Sequence, residues 1–460
     1  MSGIFNVINA VTNWLWGLPI LILLVGGGII LSIIIGGIQF RHLGFIYKTT
    51  IGTLFDKEEQ KRKKAQGASP FQVLTAALGA TVGTGNIVGV GAAISMGGPG
   101  ALFWMWVCGF LAMGIKYSEV TLSVRYRERQ EDGNFRGGPF MYMSKGLNAK
   151  PVASIFGVMM IITLSFICAV HGSSITTNLA DIGVNKYVTC VIMVIFMTAI
   201  ILGGMKSLVK ISDKMVPIMS GLYIVCCLIV IFANIGQIGT VFASIFKGAF
   251  TGWAAVGGFT GATLAHTIRY GLARGVFSND AGLGLSSSIQ AQAEAIDHPA
   301  QQGSWAVVET FIDTIIICSM TGFVILFTGV WTGDAATATL ASRALGSVLG
   351  GAGKIGCIIS LALFGISSLI TDLQGARIQA ISMFKSDALG RVFQILIVIM
   401  VVIGTMTDIS NVFVIADFGN AIVLLLNVPC MILLGKELKK LTREWFDNKG
   451  DLEAIARSRQ

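Results

Sequence analysis

Apolar stretches of about 20 residues or more alternate with short polar segments along most of the chain. A membrane-spanning helix needs about 20 mainly apolar residues, so this pattern predicts an all-α polytopic membrane protein. Its eleven predicted spans are residues 15–36, 71–95, 99–124, 152–178, 187–206, 211–235, 254–285, 303–330, 351–383, 391–407 and 410–435. The alanine-, threonine- and glycine-rich stretch 331–350 is predicted to be a long external loop.

Composition indicates a multi-pass membrane protein rather than a soluble protein with one anchor. Of the 460 residues, 54% are hydrophobic and 12% are charged, whereas soluble proteins carry about 25% charged residues. All eight cysteines lie in apolar segments, where a free cysteine behaves as a small hydrophobic residue. We therefore expect no disulfide framework. No CxxC or HExxH motif occurs, and no bound metal or organic cofactor is expected.

The distribution of Lys and Arg predicts the orientation in the membrane. Basic residues concentrate after the first, third and fifth predicted spans and in the C-terminal tail, and cytoplasmic loops carry an excess of such residues. This predicts a protein of the cell (inner) membrane with its N-terminus outside and its C-terminus in the cytoplasm. We therefore attribute the net charge of +9 to the loops that set the membrane topology and not to nucleic-acid binding. The lipid bilayer is an expected partner, and no obligatory protein partner is indicated.

The first Lys or Arg of the chain, Arg41, follows the first apolar stretch. A cleavable signal peptide has its basic residues before the apolar segment. We therefore expect the first apolar stretch to be a membrane helix and not a signal peptide.

Glycine interrupts the second predicted span. Residues 79–91 read Gly-Ala-Thr-Val-Gly-Thr-Gly-Asn-Ile-Val-Gly-Val-Gly. Lipid offers no hydrogen-bond partners, so broken backbone at membrane depth occurs only inside protein or beside a wet cavity. Freed carbonyls can coordinate a cation there, and freed N–H groups at a helix N-terminus can bind a carboxylate. The segment therefore predicts the ion and substrate site of a secondary transporter.

The seventh predicted span is interrupted in a similar way, at Gly271, Gly275, Gly282 and Gly284. With the first span set aside, the two interrupted spans each begin a group of five, which is typical of inverted-repeat transporters. The predicted organisation is an extra N-terminal helix and basic loop (1–70), two five-helix repeats (71–235 and 236–440) and a cytoplasmic tail (441–460). The alternative is that the glycines only permit close helix packing, as small-xxx-small patterns do.

The two interrupted spans and the segments that follow them carry distinctive motifs. In the first half these are Ser69-Pro70-Phe71-Gln72, Ala80-Thr81-Val82-Gly83-Thr84-Gly85-Asn86-Ile87, Gly97-Gly98-Pro99-Gly100-Ala101, Phe103-Trp104-Met105-Trp106 and Gly137-Gly138-Pro139. In the second half they are Ile268-Arg269-Tyr270-Gly271, Ala273-Arg274-Gly275, Phe277-Ser278-Asn279, Ala281-Gly282-Leu283-Gly284 and Phe311-Ile312-Asp313-Thr314. The chain resembles, over nearly its whole length, the alanine or glycine:cation symporter family of bacteria and archaea. The resemblance implies a LeuT-like 5+5 inverted-repeat fold with one added N-terminal helix. It also implies sodium-coupled import of a small amino acid of the alanine or glycine class by alternating access.

The resemblance also implies a sodium site. Gly79 and Val82 would offer backbone carbonyls at the first break. Ser367 and Ser368 in the ninth span would add side-chain oxygens, with a nearby carbonyl from Phe364. Sodium would be a co-substrate. The alternative for the paired serines is a hydrogen bond to the carbonyl four residues earlier in their own helix.

At the first break, the resemblance implies that the amino acid binds through its carboxylate. Gly83, Thr84 and Gly85 would present N–H groups to that carboxylate, because a half-helix N-terminus favours negative charge. Asn86 would hold either the carboxylate or the ion.

At the second break, the implied contacts are with the rest of the amino acid and the ion. Phe277 would form a wall of the pocket, with ordinary core packing as the alternative. Ser278 and Asn279 would contact the ion or the ammonium group of the substrate. A backbone carbonyl near Gly282 would also accept from the ammonium group.

Two segments depart from the family pattern. The ninth span reads Ser-Ser-Leu-Ile-Thr-Asp-Leu-Gln-Gly over 367–375, with Asp372 where family members usually carry a tryptophan. The fourth span has His171-Gly172-Ser173-Ser174 where members usually carry Gly-Asn and then a glutamine. We hypothesise that Asp372 favours a larger or more polar amino acid such as glutamine, serine or a cationic one. The alternative is that Asp372 lies near the cytoplasmic end and pairs with Arg377.

Other ionisable residues inside predicted spans are costly and are usually paired or functional. Lys116 and Glu119, three residues apart on one helix face, are expected to pair. Glu309 and Asp313 share a face four residues apart. For these two the sequence leaves open a second ion site or pairing with an arginine of the seventh span.

Three other functions remain as alternatives. The same fold coupled to protons would use His171, His266 or Asp313 as a relay. A channel would need a filter-like repeat along its pore, and none is present. An intramembrane enzyme would need a nucleophile–base or metal motif, and none is found, so we do not expect an enzyme.

Overall fold

The computed structural model describes residues 2–57, 60–61, 67–130, 135–203, 205–251, 263–333, 337–451 and 454–455. Some sequence expectations lie outside these residues: the basic residues Arg62, Lys63 and Lys64, the start of the predicted seventh span (254–262), Asp334, and the end of the tail (456–460).

The N-terminal half is helical with one small hairpin. Its α-helices are α1 (Ser2–Leu15), α2 (Leu18–Leu21), α3 (Gly27–Ile34), α4 (Ile38–Arg41), α5 (Leu43–Thr49), α6 (Pro70–Thr81), α7 (Val88–Gly97), α8 (Gly100–Arg125), α9 (Pro139–Met141), α10 (Lys150–Ala180), α11 (Lys186–Gly203) and α12 (Met205–Ala233). Its 3-10 helices are Ile51–Phe55, Thr84–Asn86 and Ile235–Gln237, and its π-helices are Ile22–Gly26 and Tyr142–Gly146. The hairpin pairs β1 (Glu128–Arg129) antiparallel with β2 (Phe135–Arg136).

The C-terminal half has only helices as regular elements within the described residues. Its α-helices are α13 (Ile238–Thr251), α14 (Leu264–Asn279), α15 (Leu285–Gln290), α16 (Pro299–Thr310), α17 (Ser319–Thr328), α18 (Leu340–Phe384), α19 (Asp387–Met406), α20 (Ile409–Leu433) and α21 (Gly435–Asp447). A π-helix, Phe311–Cys318, joins α16 to α17, and short 3-10 turns occupy Val330–Thr332 and Thr337–Thr339.

Among the described residues, eight helices are long and apolar enough to cross a membrane. The pair α6 and Thr84–Gly97, bent by 60°, raises the number to nine if it forms one span. Helix α11 is apolar but falls short of the length criterion over Lys186–Leu202. The protein is therefore a helical, multi-pass membrane protein, with fewer candidate spans in the described residues than the eleven predicted from sequence.

The expectation of a long external loop over 331–350 is wrong for much of that stretch. Helix α18 begins at Leu340, and Leu340, Ala344 and Leu345 are buried. Alanine and leucine are strong helix formers, and this part of the stretch also has an apolar face to bury. The helix kinks at Gly350, whose φ of 65° is left-handed, so its first part is set off from the long part that follows.

The two interrupted segments lie side by side, because helix α14 packs against α7 and against the turn Thr84–Asn86. Helix α14 packs along α8, and a Cβ on Gly271 would lie 2.5 Å from the carbonyl oxygen of Ala101. A Cβ on Gly275 would lie 2.8 Å from Cys108 Sγ. Close packing therefore accounts for these two glycines, as the packing alternative proposed. This packing places the end of α14 beside the break that follows α6.

Candidate functional site

The first helix break follows α6. The helix starts with a capping box between Ser69 and Gln72 and ends at Thr81, after which Val82 has a non-helical ψ of 84°. Gly83 is extended, with φ −128° and ψ −159°. A single 3-10 turn, Thr84–Asn86, then leads into α7. The sequence expectation of broken backbone inside the second span is confirmed.

The break frees backbone groups that a continuous helix would use. The N–H of Gly83 donates to Asn86 Oδ1 at 2.8 Å, so it no longer serves the carbonyl of Gly79. The first hydrogen bond of the 3-10 turn begins at Asn86, whose N–H donates to the carbonyl of Gly83. The N–H groups of Thr84 and Gly85 therefore come before the first hydrogen bond of that turn, so the turn itself does not use them.

Helix α18 packs its paired serines against this break. Ser368 Oγ donates to the carbonyls of Gly79 and Ala80, at 3.3 Å each. The alternative, in which these serines bond carbonyls of their own helix, is wrong for Ser368. The packing is tight, since a Cβ on Gly83 would overlap Ser368 Oγ. Any side chain at that position would force Ser368 or the backbone of the break to shift.

Ser367 is the orphaned hydroxyl of this cluster. Its Oγ is buried and has no hydrogen-bond partner among the described residues. A Cβ on Gly79 would lie 2.9 Å from that Oγ, so the hydroxyl faces the last turn of α6. Buried polar groups are nearly always paired, and an unpaired hydroxyl beside freed carbonyls suits an oxygen-ligated cation. Val82 is fully buried in the same break.

Phe364 lies one turn before Ser368 on α18. Its ring is fully buried and packs against Tyr223, with ring centroids 5.7 Å apart. These contacts involve the ring of Phe364. They do not test the predicted role of its carbonyl as a sodium ligand.

The second helix break follows α14. Asp280 has a left-handed φ of 55°, followed by Gly282 at 79° and Gly284 at 96°, and α15 starts only at Leu285. The carbonyl of Gly282 accepts a hydrogen bond from Asn427 Nδ2 at 2.9 Å. The sequence expectation of a second interruption is confirmed, and it falls at the second pair of glycines.

A buried ammonium group stabilises this second break. Lys116 Nζ donates to the carbonyl of Asn279 at 2.7 Å and lies 3.4 Å from Asp280 and 3.6 Å from Glu309. The Glu309 carboxylate also accepts from Ser286 Oγ at 2.8 Å. The expected pairing of Lys116 with Glu119 is wrong, because the lysine reaches across to the unwound end of α14 instead.

Glu119 has a different partner on α20. Its Oε1 accepts from Asn427 Nδ2 at 2.6 Å. Arg274, a candidate partner for Glu309 and Asp313, instead pairs with Asp417 on α20. Arg274 therefore pairs with neither acidic residue of the eighth span; Glu309 contacts the second break, and Asp313 contacts both breaks.

Asp313 joins the two breaks. Its Oδ1 accepts from Asn86 Nδ2 at 2.7 Å, and its Oδ2 accepts from Ser278 Oγ at 2.8 Å and Thr314 Oγ1 at 2.9 Å. The residue is fully buried and lies in the π-helix Phe311–Cys318. π-helical turns occur frequently at functional sites, and this one carries a carboxylate with three strong donors.

One cavity is lined from both breaks. Five of the residues expected in the substrate site line it: Gly83, Gly85, Phe277, Ser278 and Asp372. The other lining residues are Ala80, Thr81, Ile167, His171, Asp280, Leu283 and Leu285. A Cβ on Gly85 would lie 2.9 Å from the ring of Phe277, so the two breaks approach closely.

The remaining expected substrate residues have other partners. Thr84 Oγ1 is 2.8 Å from His171 Nδ1, and Asn86 is held by Asp313. Asn279 donates through Nδ2 to Thr314 Oγ1 at 3.2 Å and accepts at Oδ1 from the N–H of Ala281 at 3.0 Å. These side chains shape the breaks, and Asn279 and Gly282 are already hydrogen-bonded within the protein.

Asp372 lies deep in the protein, opposite the first break. It is 1% exposed, and its Oδ2 lies 3.5 Å from His171 Nε2 and 3.2 Å from Cys168 Sγ. The alternative pairing with Arg377 is wrong, because Arg377 Nε donates to Asp387 Oδ1 at 2.8 Å. Five residues along a helix correspond to a rotation of roughly 140°, so Asp372 and Arg377 point to different faces.

Sequence reasoning gave two of the central residues no role in the sodium and substrate site. His171 and Asp313 stood out as costly ionisable groups inside predicted spans and as relays in the proton-coupled alternative, with a second ion site also left open for Asp313. The signal for His171 was its position in one of the two segments that depart from the family pattern. For Asp313 no local signal exists, because its partners are 227 and 35 positions away in the sequence.

Comparisons with known proteins agree with this architecture. A family model described as the sodium:alanine symporter family matches residues 1–456. The sodium/alanine symporter AgcS of Methanococcus maripaludis is 39% identical over 330 residues, covering 70% of this chain and 71% of AgcS. The probable sodium/glutamine symporter GlnT of Bacillus subtilis is 32% identical over 450 residues, covering 95% of this chain and 91% of GlnT.

Among solved structures, the chain is similar to MhsT, crystallised in complex with L-phenylalanine. The TM-score is 0.59 at 16% identity, and the match covers 85% of this chain and 98% of MhsT. This likeness shows a LeuT-like transporter fold. The family and its structural neighbours are transporters and not enzymes. With nearly its whole length matched by the family model, the chain belongs to the sodium:alanine symporter family.

Proposed function

We propose that the protein is a sodium-coupled symporter that imports a small amino acid by alternating access around the cavity between the two helix breaks. The observation that carries this proposal is that residues of both breaks, Gly83 and Gly85 in one and Phe277 and Ser278 in the other, line one cavity. Transporters with paired broken helices bind substrate and coupling ion at such a place. The relatives AgcS and GlnT are named as sodium-coupled symporters.

In this proposal sodium is a co-substrate held between α6 and α18. Its ligands are the carbonyls of Gly79 and Val82, the hydroxyls of Ser367 and Ser368 and the carbonyl of Phe364. The support is the unpaired, buried Oγ of Ser367 beside a helix end whose carbonyls are partly freed. Sodium is a hard cation, and oxygen ligands of this kind suit hard cations.

The amino acid is proposed to bind with its carboxylate at the first break. The N–H groups of Thr84 and Gly85 precede the first hydrogen bond of their turn, and Gly83 and Asn86 fix the backbone through their own hydrogen bond. Such N–H groups favour an anion. At the second break, Ser278 faces the cavity, while Asn279 and the Gly282 carbonyl act indirectly by maintaining the unwound backbone.

The proposed architecture has eleven spanning helices, as an extra N-terminal helix followed by two inverted five-helix repeats. Helix α11 and the segment ending in α14 and α15 would supply the two spans beyond the nine candidates found by length and composition. The distribution of Lys and Arg supports an outside N-terminus and a cytoplasmic C-terminus. Reporter domains fused to the C-terminus test this orientation, since only a cytoplasmic terminus gives an active cytoplasmic reporter and a silent periplasmic one.

Sodium supplies the driving force because an amino-acid zwitterion has no net charge. One elementary charge that moves down about 100 mV gains about 2.3 kcal/mol. At about 1.4 kcal/mol per decade, that supports roughly 50-fold accumulation before any chemical gradient of sodium is added. For coupling, sodium need only bind the outward-facing state better than the inward-facing state.

Uptake into proteoliposomes tests the proposal. Labelled alanine is added outside vesicles with an inward sodium gradient, an inward potassium gradient or an inward proton gradient, each at the same membrane potential. The proposal expects accumulation with sodium alone. Accumulation that follows the proton gradient and ignores sodium would replace sodium coupling by proton coupling. A failure of all three gradients, with alanine and with a panel of other amino acids, would overturn the symporter proposal.

A further inference from the structure

We propose that His171 and Asp372 form a side-chain recognition site that selects amino acids carrying a neutral hydrogen-bond donor, a hydroxyl or a carboxamide group. This deepens the proposed transport function and rests on it. The two residues lie on α10 and α18 and line the same cavity as both helix breaks.

The Asp372 carboxylate retains accepting capacity that the protein does not fill. Oδ2 accepts from Cys168 Sγ at 3.2 Å and lies 3.5 Å from His171 Nε2. A thiol is a weak donor, and 3.5 Å is at the outer limit of a hydrogen bond. No described residue donates to Oδ1. A carboxylate that is 1% exposed and so poorly satisfied needs a further donor, and the cavity is where that donor can come from.

Asp313 provides a comparison within the same protein. It is also fully buried, yet its two oxygens accept three hydrogen bonds of 2.7 to 2.9 Å, from Asn86, Ser278 and Thr314. At Asp313 the protein itself therefore supplies strong donors to both carboxylate oxygens. The unfilled carboxylate at Asp372 is consistent with a partner supplied by the substrate.

His171 fixes the recognition site relative to the substrate backbone. Its Nδ1 is 2.8 Å from Thr84 Oγ1, in the turn that is proposed to bind the substrate carboxylate. Its Nε2 faces Asp372 on the other side of the ring. The imidazole thereby spans the distance between the carboxylate end and the side-chain end of the cavity. A substrate held by Thr84 and Gly85 would direct its side chain along His171 toward Asp372.

The surroundings favour a neutral donor over a cation. The same cavity is lined by Ile167, Leu283 and Leu285, which cannot replace the water around an ammonium group, and its other carboxylate, Asp280, already pairs with Lys116. Moving a charge into such surroundings costs far more than moving a hydroxyl or an amide, and a buried ion pair often fails to recover that cost. In addition, Asp372 lies one helical turn from Ser368, where the co-transported sodium is proposed to bind, so a second cation would be repelled.

Isosteric amino acids that differ only in the donor provide the test. Purified protein in proteoliposomes takes up labelled alanine at fixed sodium, and unlabelled serine, 2-aminobutyrate, threonine, valine, glutamine and lysine compete. Serine and 2-aminobutyrate have nearly the same shape, as do threonine and valine, so each pair isolates the hydroxyl. We expect serine and threonine to compete at least about tenfold better than their apolar partners, because the donor meets an unfilled carboxylate.

Two variants test whether the preference for a hydroxyl depends on His171 and Asp372. Asp372→Leu removes the acceptor and keeps the branched shape of the side chain, and His171→Phe removes the ring nitrogens and keeps a ring. Each is expected to bring the serine-to-2-aminobutyrate ratio close to one. Ser360→Ala is the matched control, because Ser360 is buried on the same helix and bonds only the carbonyl of Gly356 in its own helix. This control is expected to keep the wild-type ratio.

The outcomes separate this inference from the proposed function. If alanine uptake follows sodium but serine and 2-aminobutyrate compete equally in the wild type, the recognition site is refuted and the symporter stands. Lysine competing better than serine and glutamine would also refute it, in favour of a cation site. If a variant does not fold, the competition ratios of the wild-type protein, serine to 2-aminobutyrate and threonine to valine, decide whether the recognition site stands. If no amino acid is taken up with sodium, thermal stabilisation of the detergent-purified protein by serine but not by 2-aminobutyrate would still support the site, and equal or absent stabilisation would refute it.

Discussion

Asn86, in the turn between α6 and α7, donates a hydrogen bond of 2.7 Å to the carboxylate of Asp313 in the π-helix before α17. The other oxygen of this carboxylate accepts from Ser278, at the end of α14. One acidic side chain therefore connects both interrupted helices. Any rearrangement that separates the breaks must stretch or exchange these bonds, so Asp313 controls the relative position of the two halves of the site.

Asp313→Asn is expected to impair both stability and transport. The amide keeps the shape of the carboxylate but replaces one acceptor with a donor, so at least one of three buried donors loses its partner. An unsatisfied buried group costs about 1–3 kcal/mol. We expect a lower midpoint of thermal unfolding in detergent and at least about tenfold slower alanine uptake.

Asp447→Asn is the control for the loss of one negative charge, because Asp447 is exposed at the end of α21. It should match the wild type in both measurements. A wild-type melting midpoint and uptake rate for Asp313→Asn would show that Asp313 does not hold the breaks together.

The sequence predicted both breaks and their shared site, because two glycine-interrupted apolar segments at corresponding positions are typical of a transporter's binding site. It did not assign Asp313, although the residue was noticed. Read as an α-helix, the sequence places Glu309 and Asp313 on one face. In the structure Glu309 approaches Lys116 and Ser286, whereas Asp313 approaches Asn86 and the end of α14. Such long-range partners leave no periodic signal within one sequence.

Ser368→Ala is expected to weaken sodium binding. The change removes a hydroxyl that reaches the carbonyls of Gly79 and Ala80 and that is proposed to coordinate the ion. Loss of one ligand worth about 1.4 kcal/mol raises the sodium concentration for half-maximal uptake by about tenfold. The measurement is alanine uptake over a range of sodium concentrations at constant ionic strength. Ser367→Ala should act in the same direction.

Ser360→Ala again provides the control on α18 and should leave the sodium dependence unchanged. If Ser367→Ala and Ser368→Ala both keep the wild-type sodium dependence, the ion is bound elsewhere. A lower maximal rate with unchanged sodium dependence would point to helix packing as the main role of these serines.

Replacing only one member of the ion pair between Arg274 and Asp417 is expected to destabilise the protein more than replacing both members. Both side chains are buried, and Arg274 Nε and Nη1 and Asp417 Oδ1 have no hydrogen-bond partner among the described residues. The guanidinium also lies 4.2 Å from the ring centroid of Phe413. Removing one member leaves a buried charge and costs about 3–5 kcal/mol.

The comparison is a double-mutant cycle in thermal unfolding. Arg274→Met and Asp417→Leu should each lower the melting midpoint strongly, and the double variant should recover much of the loss. Additive effects of the two substitutions would contradict the pairing. The main-chain carbonyl of Asp417 also accepts from Trp16 Nε1 at 2.8 Å, a contact that both variants retain.

Lys116→Met is expected to prevent stable folding of the second break. The substitution removes the donor to the Asn279 carbonyl and leaves the carboxylates of Asp280 and Glu309 without their cation. Combining it with Glu309→Gln should restore part of the folded yield, because one of the two uncompensated charges is then removed. Folded yield is measured as the monodisperse fraction after extraction in detergent. A wild-type yield for Lys116→Met alone would show that the ammonium group is dispensable.

The charge cluster around Lys116 also shows where sequence reasoning fails. Lys116 and Glu119 are three residues apart, a spacing that favours pairing on an isolated helix. Inside the protein, the unwound end of α14 offers the carbonyl of Asn279 and the buried carboxylate of Asp280, which otherwise accepts from the N–H of Ser286 at 2.7 Å. A buried ammonium group gains more by compensating those groups than by pairing along its own helix.

The central claim is that amino acid and sodium cross the membrane together through the cavity between the breaks. The most direct measurement is uptake of radiolabelled sodium into proteoliposomes, with and without an inward gradient of alanine and with the membrane potential clamped at zero. The account predicts that alanine drives sodium accumulation above the level reached without it, and that Ser368→Ala weakens this effect. Alanine entry without any alanine-driven movement of sodium would contradict the account.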